Sequence, residues 1–173
     1  MATAYYTDLY KSSSQPDSNV PAGVVLCQHT TFTGVTGNHG SGDTFYMAKL
    51  PKGAVLLDIQ VAGPAISGGT LAIGTTATIE TNGSDISAGA GTIVNGATVT
   101  GIWKFNLDGG YQGTTDIVQT TLNGTVRRGS KAADNEVGIY MTFSTAYPAA
   151  DDVLYFTMMY YMDAGADMAY DPG

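Results

Sequence analysis

The chain is poor in the residues with which most enzymes do chemistry. It has two histidines, one tryptophan and one cysteine. A lone cysteine cannot close an internal disulfide, and Cys27, set in an apolar strand pattern, reads as a small buried hydrophobe. Basic residues are also scarce, seven against 15 acidic, for a net charge of −8. That balance opposes the phosphate-neutralising surface that DNA or RNA requires, so no nucleic acid is expected as a partner. Charged residues make up only 13% of the chain, where an average soluble domain has roughly 25%. The surface must therefore be covered by hydroxyls, amides, glycine backbone and partners. No apolar run approaches the ~20 residues of a membrane-spanning helix, and the N-terminal stretch lacks the apolar run of a signal peptide. No membrane partner is expected, and the chain is expected to be made in a cytoplasm. No segment shows convincing helical periodicity.

What is abundant points to strands. Twenty-three glycines and 11 tyrosines, with many Thr and Ser, suit short strands and tight turns and suit helices poorly. At 173 residues the chain makes one domain, burying roughly 70% of the surface its unfolded form exposes. Three Asn-Gly steps, Asn82-Gly83, Asn95-Gly96 and Asn123-Gly124, supply the successive positive-φ residues of type I′ hairpins. Val55, Leu57, Ile59 and Val61 alternate with Leu56, Asp58 and Gln60, the period of two of a half-buried strand. Pro51 and Gly53 break the pattern before it. The reading is an all-β, single-domain antiparallel β-sandwich, jelly-roll-like, with about eight to ten short strands.

Three regions follow: an extended N-terminal arm over 1–22, the β-sandwich over 23–162, and an acidic tail over 163–173. The arm carries Tyr5, Tyr6 and Tyr10 beside a Ser/Pro-rich stretch; it is either a disordered tail or an arm whose tyrosines pack on a neighbouring subunit. Val24 to Thr33 reads as the first good strand, and Gly63 to Ala97, dominated by Gly, Ala, Ser and Thr, as a surface excursion. Val137 to Ser144 and Val153 to Met162 read as the strongest strands, with a turn at Tyr147 to Asp152 between them. The last is apolar or aromatic on both faces, which a half-solvated sheet does not need. Phe156, Met158, Tyr160 and Met162 are the face chosen for subunit contact; the alternative is burial under the same chain.

The search for chemistry returns no catalytic, cofactor or metal site. His29 falls inside a strand, and His39 lies in the loop Gly37-Asn38-His39-Gly40-Ser41-Gly42-Asp43. That loop superficially resembles a serine nucleophile elbow, but His39 stands where the first glycine belongs and a strand follows instead of a helix. The histidines are too few and too far apart for a zinc set, and no Asp-rich loop has EF-hand spacing. Asp151-Asp152 and the tail aspartates read as a solvated turn and tail. Arg127, Arg128 and Lys131 concentrate three of the seven basic residues in one loop, a docking point for an acidic patch if it is more than a solvated loop. Trp103, with Lys104, Asp108 and Tyr111, is the one place where a glycan reader would find an exposed ring flanked by polar groups; otherwise it packs in the core.

The unit Asp43 to Ala62, DTFYMAKLPKGAVLLDIQVA, with Thr70-Leu71-Ala72-Ile73-Gly74 after it, resembles the decoration or cement proteins of tailed-bacteriophage heads. In those proteins a strand ending in LPKGA precedes an alternating hydrophobic strand and then a short strand ending near an IG or VG step. The long Gly/Ala/Ser excursion between Ile73 and Val99 departs from that pattern. The resemblance implies a non-enzymatic virion protein that binds the outer surface of the expanded capsid as a homotrimer, with the major capsid protein as partner. The residues chosen for capsid contact are Tyr5, Tyr6 and Tyr10 of the arm and Arg127 and Arg128 of the basic loop. A head-fibre or carbohydrate-binding surface module of a virion is the second reading.

Overall fold

A computed structural model describes residues 2–11, 24–35, 39–52, 54–77, 79–81, 84–86, 88–106 and 136–162. In chain order these form β1 (Ala4–Tyr6), α1 (Asp8–Lys11), β2 (Val25–Thr33), β3 (Thr44–Leu50), β4 (Ala54–Thr75), β5 (Ile79–Thr81), β6 (Ser84–Ile86), β7 (Gly89–Asn106), β8 (Val137–Phe143) and β9 (Val153–Met162). The all-β, single-domain expectation is borne out, with α1 a single turn. Seven strands build one mixed sheet in the order β1-β3-β8-β4-β9-β2, with β7 also paired to β4. Pairing is antiparallel except where β1 lies parallel to β3. β5 and β6 form a separate two-stranded ribbon.

β4 organises the molecule. Its first part, Ala54 to Ala62, pairs with β9, and its last, Leu71 to Thr75, pairs with β8. β7 accompanies it along nearly the whole course. Between the two parts lie Gly63, Pro64, Gly68 and Gly69, and the register with β7 slips twice, between Gly63 and Ile66 and between Ile66 and Gly69. An extra residue on one strand bends it, and these two slips turn β4 from the β9 side to the β8 side. The sheet curls over itself until Phe32 of β2 meets Phe45 of β3, ring centroids 5.0 Å apart. Ile59, Leu71, Ile73, Ile139, Met141, Leu154, Phe156 and Met158 are among the buried residues enclosed between the two sides.

Several expectations are corrected. Within Gly63 to Ala97 the described residues are mostly sheet, not surface excursion: Ile66, Leu71, Ile73 and Ile93 are buried in the core. Asn95-Gly96 is not a hairpin turn but lies inside β7. There Leu71 pairs with Ala97 and Ile73 with Val94, so β7 carries one extra residue, and Gly96 takes φ 73°. The alternation read for Val55 to Val61 is interrupted by a second bulge, at Leu57, between the pairs Leu56 with Tyr160 and Asp58 with Met159. Beyond it Ile59 and Val61 still face the core, but before it Leu56 does, while Val55 lies outside the core cluster. Cys27 is exposed, not buried, because β2 is an edge strand and position 27 falls on its outward face.

The face of β9 chosen for subunit contact is intrachain core. Phe156, Met158 and Tyr160 are buried, Tyr160 with 2% of its surface exposed, and Met162 packs against the same cluster. The physical reason is the curl: β9 is an inner strand between β4 and β2, and its buried face joins the same core cluster as the inward residues of β3 and β8.

Candidate docking surface

Residues 2–11 of the arm fold back on the chain's own sheet. The Thr44 amide donates to the Thr3 carbonyl at 2.9 Å and the Thr7 amide to the Tyr46 carbonyl at 3.0 Å. Thr7 caps α1, its Oγ1 accepting from the Tyr10 amide at 3.2 Å while donating to the Met47 carbonyl at 2.6 Å. Tyr5 points inward, stacked on Phe45 with centroids 5.4 Å apart and edge-on to His39 at 4.4 Å. Of the three arm tyrosines, Tyr5 is thus spent on intrachain packing, and Tyr6 and Tyr10 reach the outer face.

On that face the register brings tyrosines into a row. Tyr6 is the Cα partner of Tyr46, Tyr46 of Tyr140, and Tyr140 of Gly74. Directly opposed residues in paired strands share a face. Tyr6 stacks on Tyr46 at 4.7 Å with ring planes 9° apart, Tyr46 meets Tyr140 at 5.4 Å, and Tyr10 lies 5.0 Å from Tyr46. Two glycines let the rings lie down on the sheet. A Cβ at Gly74 would stand 2.7 Å from the Tyr140 ring, and one at Gly138 would stand 2.6 Å from the Tyr10 hydroxyl. Lys49 closes the edge, its Nζ 5.3 Å above the Tyr10 ring and 2.9 Å from the Glu136 carboxylate.

The platform is aromatic, electrically balanced and rich in unused hydroxyls. Among the described residues, Tyr6, Tyr10, Tyr46 and Tyr140 form no hydrogen bond through their hydroxyls. Burial pushes the Tyr10 hydroxyl up from its ordinary pKa, with Tyr46, Tyr6 and Glu136 adding to the effect. Burial and Tyr46 do the same for Tyr140. The Tyr10 and Tyr140 hydroxyls therefore stay protonated at neutral pH, able to donate and accept. Tyr6 remains 44% exposed. Tyrosine presents large, stiff contact area at little cost in side-chain entropy, which gives such a row the chemistry suited to docking.

Sequence reasoning found Tyr6 and Tyr10 but missed Tyr46, Tyr140, Lys49 and Glu136. The available signal was the alternation in β3 and β8, which sets Tyr46 and Tyr140 opposite the core positions Phe45, Met47, Ile139 and Met141. Arg127, Arg128 and Lys131 lie outside the described residues, as does Asn123-Gly124; the same holds for the side chain of Trp103 and for Asp108 and Tyr111.

The other polar candidates are engaged elsewhere. Ser41 Oγ donates to the Ser144 carbonyl at 2.7 Å, and His39 Nε2 accepts from the Val35 amide at 3.3 Å. They do not form a nucleophile–base pair. His39 is 1% exposed in a box of Tyr5, Phe32 and Phe45, and its Nδ1 finds no partner among the described residues. Burial lowers its pKa, Asp43 pulling the other way. The Asp43 carboxylate accepts from the Thr3 amide at 2.7 Å and from the Gly40 amide at 2.8 Å. His29, on the exposed outer face, meets Thr157 Oγ1 at 2.9 Å. Asp152 Oδ2 accepts from the Ala149 amide at 2.9 Å, stitching the β8–β9 turn. Among the described residues no three His, Cys, Asp or Glu side chains converge on a common point.

No protein-family model and no curated protein matches the chain. Its fold does match a solved chain of the capsid of Ralstonia phage GP4, with a TM-score of 0.63 at 14% identity, over 92% of this chain and 98% of that one. A chain of the acid-stable capsid of Helicobacter pylori bacteriophage KHP30 aligns at 0.40 and 11% identity over 82% and 90% of the two chains. A chain of the cyanophage Pam1 capsid aligns at 0.40 and 16% over 87% and 96%. At 0.40 neither of these two bears on the fold.

Proposed function

We propose that the chain is a non-enzymatic structural protein of a phage virion that attaches as a homotrimer to the outer surface of the expanded capsid and stabilises contacts between major capsid subunits. The observation that carries this reading is the fold shared with a phage capsid chain over nearly the full length of both, at a TM-score of 0.63. The LPKGA-centred resemblance to decoration proteins supports it independently, because it rests on residues and not on topology. The tyrosine platform supplies a surface with the chemistry of an interface core, aromatic and free of unpaired charge. In this reading Tyr6, Tyr10, Tyr46 and Tyr140 meet the capsid, and Arg127 and Arg128 add a basic contact. A protein that binds only the expanded lattice stabilises it by mass action, and three copies engaging neighbouring sites multiply the effect. Synthesis takes place in the host cytoplasm and residence on the capsid surface.

The test is co-sedimentation of the purified protein with expanded and with unexpanded shells of the major capsid protein. Saturable pelleting with expanded shells alone is expected. Absence of pelleting with either, from folded protein, turns the reading to a carbohydrate-binding or head-fibre module. The unused tyrosine hydroxyls beside Glu136 and Lys49 favour that second reading over a site at Trp103, and a glycan array scores it.

A further inference from the structure

The N-terminal segment is attached to the rest of the molecule the way a bound peptide is attached to its receptor. Three residues of β1 add in parallel to the edge of β3, Ala4 opposite Thr44, Tyr5 opposite Phe45 and Tyr6 opposite Tyr46. A parallel neighbour cannot come from a tight turn and needs a long crossover. The segment's hydrogen bonds to the sheet reach residues about forty positions away: Thr3 to Asp43 and Thr44, Thr7 to Tyr46 and Met47. Within itself it forms the α1 turn, capped by Thr7, and the contact of Tyr6 with Tyr10. On the inner side it is anchored by Tyr5, set in a socket of Phe32, His39 and Phe45, at centroid distances of 5.8, 4.4 and 5.4 Å, and on the outer side Tyr6 and Tyr10 lie against Tyr46. Beside that socket the buried Asp43 carboxylate accepts the Thr3 amide at 2.7 Å. A backbone-pairing edge, a ring pocket at an alternate position and a buried acceptor for a main-chain amide are the features with which a sheet edge takes up a peptide strand.

Nothing in these contacts depends on the arm and the socket belonging to one chain. Residues 12–23 join the segment to Val24, and twelve residues reach about 40 Å when extended. The same contacts made between copies cost no pairing and no burial, and identical elements exchanged between protomers are an inexpensive route to closed oligomers. The edge is also one where copies carrying a net charge of −8 meet mainly through apolar rings and main-chain bonds.

We propose that residues Ala2–Lys11 form an exchangeable arm, and that the socket of Phe32, His39, Asp43 and Phe45 takes the arm of a second copy of this chain, so that copies are linked by traded strands. The proposal deepens the self-association in the reading above and is independent of whether the partner is a capsid.

Disulfide trapping in the full-length chain tests it. Cys27, exposed and free, is replaced by Ser throughout. One preparation carries Ala4→Cys, a second Thr44→Cys, and a control carries both. The double variant closes within one chain wherever the arm docks in cis, which checks the register. Mixing the two single variants, incubating at high concentration and oxidising is expected to give a covalent dimer of twice the chain mass. Peptide mapping places its bond between positions 4 and 44, and its yield rises severalfold with protein concentration and falls to background when Tyr5→Ala is added to the first variant. Closure of the double variant with no 4-to-44 dimer from the mixture overturns the exchange. Failure of the double variant to close, in a chain with a normal thermal melt, overturns the docking on which the exchange rests. Neither result bears on pelleting with capsid shells, so the two readings fail separately.

Discussion

His39 shows how much one residue's surroundings decide. In sequence it is a loop histidine between glycines, and only the arm and the closing sheet put it out of water, among three rings. Its pKa is lowered because burial disfavours the imidazolium, and the Asp43 carboxylate, already accepting two amides, offsets this incompletely. The unfolded chain therefore binds a proton that the folded chain resists. The folded pKa lies below the unfolded value of about 6.5, so the contribution is whole above that pH and is lost as pH falls below it, with a slope of at most about 1.4 kcal/mol per unit. His39→Gln, which keeps a polar group for the Val35 amide, is expected to flatten the stability curve between pH 7 and pH 5. Urea unfolding at half-unit steps checks it; parallel curves for the two proteins would place the acid sensitivity elsewhere.

Among the elements, legibility followed composition. β2, β8 and β9 carry branched and aromatic residues in alternation, and each was read to within a residue or two. The parts of β4 and β7 that fall within Gly63 to Ala97 read as a surface excursion because Gly, Ala, Ser and Thr fill them. Those small residues serve a strand pair that bends twice and lets rings lie against its backbone, as Tyr140 does over Gly74. Alternation is likewise blind to bulges, so Leu56 and Val55 were assigned to the wrong faces. The arm was recognised as separate but its destination was invisible, since a parallel partner forty residues away leaves no local pattern. Thr7 is where that destination is most easily tested. Thr7→Ala removes the cap of α1 and the bond to the Met47 carbonyl, a loss of about 1–2 kcal/mol. The effect is expected to be local: amides of residues 3–11 gain exchange rate manyfold while those of β8 and β9 keep theirs, as mass spectrometry of exchanged peptides reports. For β9, Tyr160→Asp is expected to unfold the chain. It empties a ring's volume from the core, about 3–5 kcal/mol for an aromatic truncation, removes the acceptor of Gln28 Nε2, and buries a carboxylate. With total stability of about 5–15 kcal/mol, the soluble yield should collapse, whereas Tyr155→Asp, on the outward face at 49% exposure, should express and melt normally.

At the scale of the whole molecule, the question is how a chain with net charge −8 holds a partner. Long-range charge steers association, but short-range burial sets how long a complex lasts. The described platform contributes no net charge, because Lys49 is paired with Glu136, and contacts made through its ring faces are insensitive to ionic strength. If the platform is the docking surface, attachment to expanded shells should weaken only about twofold between 50 and 500 mM salt, a range over which contacts between exposed charges are largely screened. Tyr46→Ala is the sharper probe. Tyr46 sits between Tyr6, Tyr10 and Tyr140, so its loss removes one ring and leaves three without their support, and central aromatic truncations at interfaces cost about 2 kcal/mol or more. The pelleted fraction at fixed concentration should fall accordingly, with the change in the off-rate and with a thermal melt still showing one cooperative transition. Binding that survives Tyr46→Ala but vanishes in 500 mM salt would move the contact from the tyrosines to the basic loop at Arg127 and Arg128, since only charge pairing responds to salt in that way.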